Sequence, residues 1–177
     1  MDQMALLTAL RAEIGDKEEP YRYDDEELLE FVQSAIYDYS QYRPRRRRGT
    51  LSFQPGVLEY TLPADFQTWV AGLEGYEVLE NIVYLESSPA ASYSVTFIYL
   101  GNHDIASMPE GALSLVLDFC TWKLFSDAVR EGSEISELKL GKGLDIKFDN
   151  FDQINELADK RRNSYLAAVQ KPVGGVT

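Results

Sequence analysis

The chain has one cysteine, Cys120, and one histidine, His103, among 177 residues. A single thiol excludes an intramolecular disulfide and any cysteine metal cluster, and its neighbours Leu117, Phe119 and Trp122 mark it as a small buried hydrophobe. One imidazole in a loop beside Asp104 reads as a solvated residue and is not a metal site. Serine–histidine catalysis would have to recruit it without any G-x-S-x-G elbow. Phosphate-cradling glycine motifs are missing as well, since Gly141-Lys142-Gly143 has neither the Walker nor the Rossmann spacing. No catalytic, cofactor-binding or metal residues are therefore assigned, and the expectation is a protein that is not an enzyme. No apolar run approaches the ~20 residues of a membrane span, and the N-terminus lacks the basic start and apolar core of a secretory signal. The expectation is a chain made and kept inside a cell, with no membrane partner. Basic residues are scarce: 17 Lys and Arg face 29 Asp and Glu, for a formal net charge of -12. Holding DNA by its phosphates needs a basic surface, so this balance argues against tight non-specific duplex binding.

What is present is globular material. A composition of 45% hydrophobic and 26% charged residues argues against wholesale disorder. A chain of this length buries roughly 70% of its unfolded surface, enough for one core plus a small lobe.

The first 49 residues carry two helical patterns. Leu6, Leu7, Leu10 and Ile14 recur at helical spacing, with Asp2 as an N-cap and Gly15 as a left-handed stop. The polar stretch DKEEPYRY is a connecting turn. Asp24 then caps a second helix, with Glu27 three residues on as in a capping box. Leu28, Phe31, Val32, Ala35, Ile36 and Tyr39 give that helix one apolar face. It stops before Pro44, where the chain enters Arg45, Arg46, Arg47 and Arg48, the one strongly basic run. This run reads either as a solvated, flexible loop or as a docking or phosphate-contacting loop, because like charges this close repel unless a partner offsets them.

From Thr50 to about Gly101 the pattern changes to short extended segments over 51–53, 58–62, 66–70, 76–85 and 93–100, rich in β-branched and aromatic residues and punctuated by Gly and Pro. They predict a small antiparallel β lobe. Tyr60, Trp69, Tyr76, Tyr84, Tyr93 and Tyr99 supply the rings of a carbohydrate platform, although aromatic residues in strands more often serve as packing partners.

After the lobe, Pro109 and Glu110 suit the start of a long helix running through Leu113, Val116, Phe119, Cys120, Trp122 and Phe125 to Ala128, apolar on nearly every side. Such a helix is surrounded by protein, its own chain or a neighbouring subunit. Then Leu138, Leu140, Leu144, Ile146 and Phe148 share one parity while Lys139, Asp145 and Lys147 take the other, a hairpin turning at Gly141-Lys142-Gly143. A lone two-stranded ribbon is marginal in water, so it leans on the flanking helices or pairs with another chain. Asp149 or Asn150 caps a last helix whose seam is Ile154, Leu157, Ala158, Tyr165, Ala168 and Val169, and Lys171, Pro172 and Val173 begin a tail expected to be flexible. The fold class expected is α+β: a helical bundle of an N-terminal pair, a long central helix and a C-terminal helix, with a β-hairpin and the small β lobe. Residues 1–177 read as a single domain, divided into helices with the Arg-rich loop (1–49), an inserted β lobe (50–104), a helix–hairpin–helix (105–170) and the tail (171–177).

Two N-terminal helices with EEPYRYDDEELLEFVQSAIYDYSQYRPR, the phrase GVLEYTLPADF, a long apolar helix, the hairpin ELKLGKGLDI and then IKFDNFDQINELADKRRNSYLAAV resemble the head-to-tail connector proteins of tailed bacteriophages, also called adaptor or head-completion proteins. The resemblance is strongest over 21–44 and 136–169. It implies a structural virion protein of the neck, assembled in the host cytoplasm as a closed ring, usually of twelve subunits. Such a ring sits beneath the portal, joins it to a tail or neck protein and leaves a channel for DNA. A ring closed by one repeated contact needs two different complementary faces per subunit. The hairpin residues and Trp122 on the apolar helix are the candidates for those faces, and Arg45–Arg48 or the Lys171–Val173 tail for docking to portal or tail. The alternatives are a neck or tail-terminator subunit and, from another class, a small-ligand or carbohydrate-binding β module.

Overall fold

The computed structural model describes residues 2–130, 137–140, 144–147 and 151–171. Their architecture is α+β, with four helices and two three-stranded antiparallel sheets in addition to the ribbon. The chain divides into two compact units, a helical one of residues 1–42 and 104–177 and a β unit of residues 43–103.

In the helical unit, α1 (Gln3–Ile14) starts where Asp2 Oδ2 accepts the Ala5 amide at 3.0 Å and stops at Gly15, whose φ of 78° is the left-handed cap expected. α2 (Asp25–Tyr42) begins beneath Asp24, which accepts the Glu27 amide at 2.7 Å. Its stripe of Leu28, Val32, Ala35, Ile36 and Tyr39 is buried, as the spacing predicts. The stretch between them is not a plain solvated turn. It wraps the buried Arg11, whose guanidinium donates to Asp16 and Asp25 at 2.6 Å each and to the Tyr23 carbonyl at 3.0 Å, with the Tyr21 ring 4.0 Å away. A buried cation needs this full set of partners.

A single 3-10 turn over Glu110–Ala112 leads into α3 (Leu113–Arg130), and α4 (Phe151–Val169) packs along it. Leu6, Leu10, Val32, Val116, Phe119, Cys120, Leu124 and Tyr165 belong to the core that the four helices share, and Phe125, Ala128, Ile154 and Ala158 form a second cluster between α3 and α4. Cys120 is buried, and burial pushes its thiol up to about 12. The caps expected at Asp149 or Asn150 and the glycine turn at 141–143 lie outside the described residues.

The β unit holds β1 (Arg45–Phe53), β2 (Glu59–Thr61), β3 (Phe66–Ala71), β4 (Glu77–Leu79), β5 (Ile82–Tyr84) and β6 (Tyr93–Gly101). One sheet has the order β1-β6-β3 and the other β2-β5-β4. The single segment expected over 76–85 is a hairpin instead, because Glu80 and Asn81 take positive φ values of 48° and 64° and reverse the chain. Phe53, Leu73, Val83, Phe97 and Tyr99 form the core, and Tyr60, Phe66 and Val78 pack against it, so both sheets turn one face to the same interior. Gly49 is required there. A Cβ at that position would collide with the tip of the Phe97 ring, which packs against β1 at this point.

Candidate functional site

The four arginines are not a loop. Arg45–Arg48 open β1 and pair with Ile98–Gly101 of β6 in unbroken register, which also moves the start of the β unit from residue 50 to residue 43. Strand geometry sends neighbouring side chains to opposite faces, so it separates the crowded charges. Arg45 and Arg47 fall on the interior side, where Arg47 Nη1 reaches Asp65 Oδ2 at 2.5 Å and Asp65 Oδ1 accepts the Tyr99 hydroxyl at 3.1 Å. Burial, and then that bond, raise the Tyr99 phenol. Arg46 and Arg48 are exposed on the outer face, beside the half-buried Leu100 and Ile98, and make no ion pair among the described residues. The next neighbours across β6 are Thr68 and Ala71 of β3.

The other sheet presents the opposite charge. Its register places Glu59, Tyr84 and Glu77 in one cross-strand row, with Thr61, Ile82 and Leu79 in the other row of that parity. Between these lies the interior row of Tyr60, Val83 and Val78. Glu59 and Glu77 are exposed and Leu79 is 54% exposed, a large apolar group left in solvent. An open cleft of about 750 Å³ adjoins this row and is lined by Tyr76, Glu77, Tyr84, Glu86, Ser88 and Tyr93 among others. The Tyr76 and Tyr93 hydroxyls are 3.4 Å apart, and that contact, followed by burial, pushes the Tyr76 phenol up to about 12.

Of the six rings named for an aromatic platform, Tyr76, Tyr84 and Tyr93 line this cleft and the other three do not. Tyr60, Tyr76 and Tyr93 pack against the fully buried Phe53 at centroid distances of 4.5, 5.3 and 4.9 Å, and Tyr99 is itself buried. Trp69 lies on β3, away from the cleft lining. His103 is half-buried and its Nε2 lies 3.1 Å from the Arg43 carbonyl, so it ties the two ends of the β unit together instead of standing in solvent.

The interface candidates in the helical unit are placed as follows. β7 (Glu137–Leu140) and β8 (Leu144–Lys147) form the expected antiparallel ribbon, with Leu138 opposite Ile146 and Leu140 opposite Leu144, and the backbone of β7 runs beside α1. Phe148 lies outside the described residues. The apolar surround of α3 comes from its own chain, and Trp122 is half-buried, edge-on to Phe119 with Lys123 Nζ 4.5 Å and the Arg162 guanidinium 5.5 Å from its ring. Lys171 is exposed just beyond α4, whereas Pro172 and Val173 lie outside the described residues.

Sequence reasoning missed the acidic row of Glu59, Tyr84 and Glu77. Its signal was the alternation in E-Y-T and E-V-L, too short to read alone. It also missed Arg161, which bonds Asp118 at 2.6 Å and pairs with Glu13, linking α4 to α3 and α1. Among the described residues no group of three His, Cys, Asp or Glu is placed to hold a metal ion, and no helix is long and apolar enough to cross a membrane. No protein-family model matches the sequence, and comparison with curated proteins returns no significant match.

Proposed function

We propose that this protein is a structural head-to-tail connector of a tailed bacteriophage. Its copies form a ring, usually of twelve in such proteins, in the neck of the virion between the portal and a tail or neck protein, with a central channel for DNA. The observation that carries the reading is the order of elements: a capped helix pair, an inserted β unit, a buried central helix, a two-stranded ribbon and a long terminal helix. This is the order in which the sequence resembles connectors. The charge distribution supports the same reading, because a wall that repelled the phosphate backbone would let DNA slide past it.

Mass photometry of the purified protein alone and mixed with its cognate portal tests the proposal. A complex with about one copy per portal subunit is expected. Persistent monomer in the presence of portal overturns it, and binding to a tail tube end in place of the portal reassigns the protein as a tail terminator. The tyrosine-lined cleft favours a second reading, a small-ligand or saccharide module. Calorimetric titration with a saccharide panel separates the two, since the connector reading expects no heat of binding.

A further inference from the structure

Every basic residue of the β unit falls within residues 43–48, and five of its six carboxylates, all except Asp65, are exposed on the remaining chain. The two sheets share one interior, so the faces they turn outward are different surfaces of the same unit. One carries Arg46 and Arg48 beside Leu100 and Ile98. The other carries Glu59 and Glu77 flanking Tyr84, beside Ile82 and the exposed Leu79.

We propose that these two faces bind one another between copies: the Arg46/Arg48 face of one protomer seats on the Glu59/Tyr84/Glu77 face of the next. The occupant of each face is a second copy of this chain. Charge complementarity carries the assignment, because each face pairs basic or acidic groups with aliphatic ones in matching proportion, and neither set of charges has an ion-pair partner among the described residues. Arg46 and Arg48 stand about 7 Å apart along one strand and Glu59 and Glu77 about 10 Å apart across three, a difference that flexible arginine stems span. Guanidinium groups pair with carboxylates in a bidentate fork and stack on a phenol ring, so Tyr84 between two glutamates forms a suitable receiver. The contact is heterologous, since it joins unlike faces, and a heterologous contact propagates until it closes. This deepens the connector reading, on which its biological setting rests, by naming the contact that repeats around the ring.

The test is charge exchange in the full chain. Arg46→Glu/Arg48→Glu and Glu59→Lys/Glu77→Lys alter exposed positions only, and unchanged circular dichroism verifies their fold. Wild-type self-association by sedimentation velocity, alone and on the portal, is expected to weaken about tenfold between low and high salt. Each variant alone is expected to associate at least about 100-fold more weakly than wild type. An equimolar mixture of the two variants is expected to recover association, because every contact again joins opposite charges. As a second measurement, Arg48→Cys/Glu77→Cys in one chain is expected to give an oxidised ladder of oligomers, since native Cys120 is buried. Wild-type association in either variant, no recovery on mixing, or no ladder at high concentration overturns the proposal. If the variants occupy the portal like wild type, this contact is wrong and the connector reading stands. If charge exchange behaves as expected but wild type ignores the portal, the contact stands and the connector reading falls.

Discussion

The helical unit and the β unit handle charge in opposite ways. The helical unit has 12 basic against 23 acidic residues, a net of -11, whereas the β unit has 5 against 6, a net of -1. Nearly all of the chain's net negative charge therefore belongs to the helical unit. Within it, charges are used in pairs that lock elements together: Arg11 gathers Asp16 and Asp25, and Arg161 links Asp118 and Glu13. The near-neutral β unit pairs Arg47 with Asp65 and places Arg46 and Arg48 on one outward face and Glu59 and Glu77 on another. Net charge is thus a poor guide to where a protein presents its electrostatics. The unit with almost none carries the sharper pattern.

Phe53→Ala should mark the contrast most strongly. It removes the ring on which Tyr60, Tyr76 and Tyr93 pack, at a cost of about 3–5 kcal/mol. Hydrogen exchange should locate the loss in residues 43–103 while α1 to α4 keep their protection, and equal loss in both units would make the division between them meaningless. Gly49→Val should cost about 1–3 kcal/mol in the same unit by driving a side chain into Phe97, read as a lower urea midpoint. On the helical side, Arg161→Met leaves Asp118 with the Ser164 hydroxyl, at 2.9 Å, as its one remaining side-chain bond among the described residues and should cost about 1–3 kcal/mol in thermal unfolding.

Two smaller effects refine the comparison. Thr121→Val replaces a buried hydroxyl that has no hydrogen-bond partner among the described residues, and should raise stability by about 0.5–1 kcal/mol in a denaturant melt. In the β unit the raised Tyr76 phenol stays protonated in the fold between about 10 and about 12, where the unfolded chain loses that proton. The unfolded state then binds fewer protons than the native state, so stability falls as pH rises through this window. Tyr93→Phe should bring the late phenol titration, followed by ultraviolet absorbance, back toward about 10.

The helices were legible because their signals are local. Asp2, Gly15 and Asp24 act within one turn of where they stand, and the Leu28 to Tyr39 stripe repeats often enough to be read without partners. The β unit was legible as a composition but not as a topology. Four identical arginines carry no alternation, so nothing local distinguishes a strand from a loop, and β1 is defined by β6, from which residues 54–92 separate it. The hairpin at Glu80 and Asn81 was hidden because it reverses without glycine. The acidic row was invisible for the same reason as the arginine strand: Glu59, Tyr84 and Glu77 become neighbours only once three short strands pair.

The bond from His103 to the Arg43 carbonyl, at the end of the long β1–β6 pairing, gives residues 43–103 the topology of a closed insert. The chain enters and leaves this unit at one place. For the helices on either side of it, such an insert acts like a short turn, whatever its internal length. Its closure entropy is met by its own strand ladder and is not drawn from helix packing. The consequence is modular: the insert can gain residues, lose them or change its outward faces without altering the path that α2 and α3 must follow. A lineage could therefore retune what the β unit binds while its helical framework stays constant.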